Sequence, residues 1–215
     1  MTHPHRTRIK ICGVRDAETA RVATEAGADA IGFVFHEQSP RYIEPIDAWT
    51  IIRQLPPFVA SVGLVVDQSF ADFGAIEEQC PTDYMQLHGA ETPELARQCG
   101  PRIIKAIQFD ESTFANDLTT WNDVDEVDAI LVDGSAGGMG SAFDWSKLEA
   151  AQATLRKPLI LAGGLTVENV GDAIRTIRPF AVDVSSGVEH ERGVKDHALI
   201  HAFCHAVRSA DNDLT

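Results

Sequence analysis

Apolar and polar positions along the chain fall into two alternating periods. Short Val/Ile-rich runs read as strands over Arg8–Cys12, Ala30–Phe35, Ala60–Val66, Tyr84–Leu87, Ile103–Phe109, Ala129–Val132, Pro158–Ala162 and Ala181–Val184. Longer segments of helical period lie between and after them. The second carries Ile46, Trp49, Ile52 and Leu55 behind Pro45, a residue suited to a first helical turn. The fourth opens with the cap-and-proline pair Thr92-Pro93, and the sixth places Trp145, Leu148 and Leu155 behind Asp144. The seventh places Val167, Val170, Ile174 and Ile177 behind a capping Thr166. Strict strand–helix alternation predicts a parallel sheet with right-handed crossovers, and eight such units predict a closed (β/α)₈ barrel of the TIM type. An open doubly wound sheet is the rival, but "ICGVRD" lacks a glycine-rich dinucleotide fingerprint. The reading is one α/β domain over residues 1–215, with a core over 8–208 and a frayed tail over 209–215.

Composition narrows the class. The 215 residues are 44% hydrophobic, enough for a sizeable core, and no run is long and apolar enough to span a membrane. The N-terminal "MTHPHRTRIK" has no apolar signal core, which predicts a cytoplasmic protein. Cys12, Cys80, Cys99 and Cys204 are far apart, without zinc spacing, and are expected as reduced thiols. The net charge is −14 and there is no basic stripe, so nucleic acid is not an expected partner. Only five of the 18 cations are lysine, a balance that fits a solvated acidic surface or a salty cytoplasm.

In such a barrel the chemistry sits at the C-terminal ends of the strands. Strand 1 ends on Cys12, a core thiol or a reactive one. Strand 6 ends on Asp133, a general acid or base or a structural carboxylate; together the two make a plausible proton-transfer couple. Arg41, after Ser39-Pro40, suits a bidentate anion contact or a surface salt bridge. Gly163-Gly164 after strand 7 and Ser185-Ser186-Gly187 after strand 8 offer backbone amides to a phosphate, with the Gly137–Gly140 loop before them, so a phosphorylated small molecule is the expected ligand. His88, Gln86 and Asp183 are possible lining residues. Lys105 is either a Schiff-base lysine or an ion-paired scaffold.

These residues occur in motifs that resemble a known family. "KICGV", "GFVF…SPRYI", "VGLVVD", "QLHG", "VDG…GG.G..FDW", "LAGGL" and "VDVSSGVE…G.KD" run in order from Lys10 to Asp196, and they resemble phosphoribosylanthranilate isomerase. The resemblance implies an Amadori rearrangement in tryptophan biosynthesis: N-(5-phospho-β-D-ribosyl)anthranilate becomes 1-(2-carboxyphenylamino)-1-deoxy-D-ribulose 5-phosphate. It implies Cys12 as general base, Asp133 as general acid and Arg41 on the anthranilate carboxylate. The phosphate would sit around Gly164 and Ser186-Gly187, and neither cofactor nor metal is implied. A monomer and a homodimer are both compatible. Met139 departs from the small polar residue expected there, and Arg192 brings extra charge to the loop after "SSGVE". Other phosphosugar enzymes on this barrel fit less well: a histidine-pathway isomerase is expected to use an aspartate at Cys12, and an epimerase to carry metal-binding histidines.

Overall fold

The computed structural model describes residues 6–134, 148, 152 and 154–214. Among these, eight strands pair in parallel and in chain order into a closed barrel, β1 bonding to both β2 and β8. The strands are β1 (Arg8–Cys12), β2 (Ala30–Val34), β3 (Ala60–Val65), β4 (Tyr84–Leu87), β5 (Ile103–Gln108), β6 (Val127–Asp133), β7 (Leu159–Ala162) and β8 (Ala181–Val184). The described helices are α1 (Ala17–Glu25), α2 (Pro45–Ile52), α3 (Phe70–Gln79), α4 (Pro93–Cys99), α5 (Phe114–Asn122), α6 (Val170–Ile177) and α7 (His197–Asp213). Asp16, Ser69, Thr92 and Asp196 cap α1, α3, α4 and α7 by accepting from backbone amides of the first turn. The sixth helical segment of the sequence lies mostly outside the described residues, as do Gly137–Gly140, Met139, Asp144 and Trp145; Leu148 is helical and buried.

Three features differ from the pattern-based expectation. Ile46 is 55% exposed, because α2 turns Pro45, Ala48 and Ile51 inward. Thr166 does not cap a helix: α6 starts at Val170, and the Thr166 amide instead donates to Asn169 Oδ1. Between β8 and α7 lie a 3-10 turn over Ser186–Val188 and a small antiparallel hairpin, β9 (Glu189–Glu191) with β10 (Val194–Lys195). Runs of three and two residues carry no readable period.

The two faces of the barrel wall differ in composition. Alternate residues turn outward to the large core under the helices, among them Ile9, Ile11, Phe33, Leu87, Val132 and Val182. The intervening positions fill the lumen with smaller groups: Ile104, Ala106, Ala129, Leu131, Ile160, Ala162 and Ala181. Cys12, Val34 and Leu64 form a separate apolar layer above them.

The tail is not frayed through residue 213. α7 runs to Asp213, and the buried Asp211 carboxylate accepts from the Thr7 amide at 2.8 Å and the Thr7 hydroxyl at 2.7 Å. Arg208 donates to the Thr7 carbonyl at 3.0 Å and the Gly27 carbonyl at 2.7 Å. The C-terminal helix thus clasps the entry to β1. Asp211→Ala removes two hydrogen bonds made to the buried Thr7, so it is expected to lower unfolding stability in urea by about 1–3 kcal/mol. An unchanged midpoint would show that the clasp contributes nothing.

Candidate active site

The C-terminal ends of the strands surround a cavity of about 690 Å³. Cys12, Arg41, His88, Asp133, Gly163, Gly164, Asp183, Ser185 and Ser186 of the sequence-derived candidates line it. So do His36, His190 and Arg192. Gln86, Gly187 and Lys105 lie outside the lining. Gln86 is fully buried beneath the floor. Gly187 packs so closely on the Leu165 carbonyl that a Cβ there would collide with backbone.

The floor of the cavity is a charged group inside the barrel. Lys10 points into the lumen one layer below Cys12, and its neighbour in the β1–β8 ladder is Asp183. Its ammonium donates to Asp183 Oδ1 at 2.9 Å and, across the lumen, to Gln86 Oε1 at 3.0 Å. Gln86 Nε2 lies 2.7 Å from His88 Nδ1, and His88 Nε2 lies 3.5 Å from Asp133 Oδ2. A continuous polar chain therefore runs from β8 through β1 and β4 to β6. It fits because Gly32, level with Cys12 on β2, has no side chain. A Cβ there would stand 2.9 Å from Cys12 Sγ and 3.1 Å from Lys10 Cε.

This chain sets the electrostatics of the thiol. Burial pushes Cys12 above its ordinary value; Lys10 and Lys195 pull against that, and Asp183 pushes with it. Burial disfavours the Lys10 cation too, but Asp183 and Cys12 outweigh it and keep the ammonium charged.

Arg41 sits in a bidentate pair rather than on an open surface. Its Nε and Nη2 donate to the two Glu189 oxygens at 2.7 and 2.8 Å, leaving Nη1 outside the fork. Glu189 also accepts from Lys195 Nζ at 2.8 Å and from the Gly193 amide at 3.1 Å. Lys195 in turn reaches the Ser185 carbonyl at 2.9 Å, while the Ser185 hydroxyl donates to the Cys12 carbonyl at 3.0 Å. The hairpin is thereby tied to the β1 and β8 strand ends.

Lys105 faces away from the cavity. It is buried against Glu91 at 2.6 Å, donates to the Gly89 carbonyl at 2.7 Å and lies over the Trp121 ring. Glu91 also accepts from the amides of Gly89 and Asp67. The pair is scaffold for the loop that carries His88, not a Schiff-base centre. Among the described residues no group of three His, Cys, Asp or Glu side chains could hold a metal ion, and no helix is long and apolar enough to cross a membrane.

The family model for N-(5'-phosphoribosyl)anthranilate (PRA) isomerase matches residues 9–206. The chain belongs to the PRA isomerase family. The PRA isomerase of Pseudomonas fluorescens (strain Pf0-1) is 47% identical over 205 residues, covering 94% of this chain and 98% of the relative. That of Moorella thermoacetica is 47% identical over 208 residues, covering 95% and 91%. Among solved structures, the enzyme from Thermotoga maritima aligns with a TM-score of 0.87 at 41% identity, over 94% of this chain and 99% of that one. A PRA isomerase in complex with reduced 1-(o-carboxyphenylamino)-1-deoxyribulose 5-phosphate aligns at 0.84 and 39% identity, with the same coverage. The chain is accordingly an isomerase of tryptophan biosynthesis.

For a PRA isomerase, the parts that sequence reading missed are Lys10, Glu189 and Lys195. Each stood inside a quoted motif. A lysine at an inward position of an apolar strand was the available signal for Lys10, since a lumen charge needs a partner.

The Glu189 cluster yields a pH prediction. Burial opposes ionisation of Glu189, but hydrogen bonds from Arg41 and Lys195 prevail and lower its pKa from 4.5 to about 2. A lowered carboxylate pKa contributes stability that is complete above 4.5 and is lost as pH falls from there to about 2. That loss amounts to roughly 3 kcal/mol. Glu189→Gln is expected to unfold at lower urea than wild type at pH 7, with the gap closing toward pH 2. Parallel stability curves for the two proteins would contradict this.

Proposed function

We propose that this isomerase converts N-(5-phospho-β-D-ribosyl)anthranilate to 1-(2-carboxyphenylamino)-1-deoxy-D-ribulose 5-phosphate, with Asp133 as general acid and Cys12 as general base. The observation that carries the reading is that both groups, on β1 and β6, line one cavity. Protonation of the furanose oxygen by Asp133 breaks the C1–O bond and leaves a Schiff base between C1 and the anthranilate nitrogen. The Schiff base acidifies C2–H, and the Cys12 thiolate removes that proton to give an enolamine. Tautomerisation of the enolamine delivers the ketone.

The remaining groups orient the substrate. Gly163 and Gly164, with positive φ values of 88° and 66°, line the cavity without side chains, so their backbone is open to a phosphate. Ser186 and Ser185 stand across from them, with Gly187 shaping the turn beneath. Arg41 offers Nη1 to the anthranilate carboxylate while its fork stays on Glu189. Backbone dipoles and Arg192 let a chain of net charge −14 hold a multiply charged anion. The isomerase is a cytoplasmic enzyme in this reading, and needs neither metal nor cofactor, because each step is a proton transfer.

Freshly prepared phosphoribosylanthranilate loses its anthranilate fluorescence as it is consumed, which supplies the assay. Wild type is expected to turn it over. Cys12→Ser and Asp133→Asn are each expected to lose about 10²–10⁴ in kcat while still binding the reduced product. No turnover by wild type would overturn the substrate assignment, and full rate in Cys12→Ser would move the base to another group.

A further inference from the structure

We infer that Lys10 is a positioning residue that serves both ends of the reaction: its ammonium is the countercharge beside Cys12 when the thiol gives up its proton and, through Gln86, it sets which nitrogen of His88 faces Asp133 with a proton. This deepens the proposed function and rests on its assignment of Cys12 and Asp133.

The inference follows from counting donors. An ammonium has three N–H groups and accepts nothing. Lys10 spends one on Asp183 and one on Gln86, and its stem lies beside the Cys12 thiol, both within about 3 Å of where a Gly32 Cβ would stand. Because Lys10 can only donate, Gln86 must turn its carbonyl oxygen toward it. Its amide nitrogen, which can only donate, then faces His88 Nδ1 at 2.7 Å. Nδ1 of the neutral imidazole must accept, so the ring proton resides on Nε2, the atom 3.5 Å from Asp133 Oδ2. The order of donors and acceptors is thus dictated from one end by a single cation. Lys10, Gln86 and Asp183 are 3%, 0% and 8% exposed, so water does not compete for these bonds.

The charged groups around the thiol give a sign to the expected effect. Lys10 lies on its own strand, Asp183 on β8, Lys195 on β10 and Arg41 beyond β2. Removing Lys10 deletes the strongest cationic influence on Cys12 and leaves the Asp183 anion uncompensated. The thiolate then forms only at higher pH.

Lys10→Met tests this by the pH dependence of Cys12 alkylation with iodoacetamide, using Cys12→Ser for the background of the other thiols. The alkylation profile is expected to move alkaline by one to two pH units, and kcat at pH 7 to fall roughly ten- to hundredfold. KM should change little, and activity should recover as pH is raised; Lys10→Arg, which keeps a cation, should move less. A profile that overlays wild type would overturn the role of Lys10. Should Lys10→Met fail to fold, Lys10→Met/Asp183→Asn removes both charges. Its profile should still shift alkaline, since the pull of Lys10 on the thiol exceeds the push of Asp183. A merely structural lysine would leave the profile of that folded double variant unmoved. Full activity in Cys12→Ser would refute the base assignment instead, independently of the alkylation profile.

Discussion

The Lys10–Asp183 ion pair inside the barrel is the interaction on which the site depends. A charge in a dry lumen is unfavourable unless it is paired and its remaining hydrogens are satisfied. That requirement reaches well beyond two residues. It demands Gly32 on the neighbouring strand, where any Cβ would meet both the lysine stem and the thiol. It demands an acceptor across the lumen, which Gln86 supplies, and small groups such as Ala106, Ala129 and Ala162 in the surrounding layer. The thiol above inherits its field from the same pair, and the Asp133 side inherits its hydrogen-bond order. Breaking such a pair from one side costs about 3–5 kcal/mol.

A second cluster fixes the far wall in the same manner. Lys105, on the outer face of β5, and Glu91 tie down the loop that follows β4 and so hold His88 over the cavity. Glu189, Arg41 and Lys195 tie the hairpin to the ends of β1, β2 and β8. In each cluster one carboxylate faces cations and backbone amides, so each loop is held by fixed geometry rather than by apolar area. The lining therefore presents polar groups whose partners already hold them in place, and little reorganisation is left for the reaction.

Much of the barrel was legible because strand and helix periods are local properties of the chain. The bounds of β1, β4 and β8 coincide with the apolar runs, and the strand-end rule led directly to Cys12, Asp133, Arg41 and the two glycine-serine turns. What the pattern could not supply was partner identity. Lys10 meets Gln86 76 residues away and Asp183 173 residues away, and no periodicity encodes such pairs. Ile46 misled because an apolar residue at helical spacing can still face solvent, and Asp211 because a polar tail can be anchored by a hydrogen bond to Thr7. The β9–β10 hairpin, carrying Glu189 and Lys195, was too short to leave a period. Arg41 was found, but as a side chain waiting for an anion; folded, it already holds one.

The account's central claim is that proton removal from C2 depends on the ionised form of Cys12 at the floor set by Lys10. Single-turnover rates with substrate deuterated at C2 measure that step directly when followed against pH alongside the alkylation of Cys12. The account predicts a primary isotope effect on a rate that rises toward pH 9 in parallel with the thiolate, whose pKa burial holds above 9.0. An isotope-sensitive rate that stays flat while the thiolate fraction climbs would contradict it.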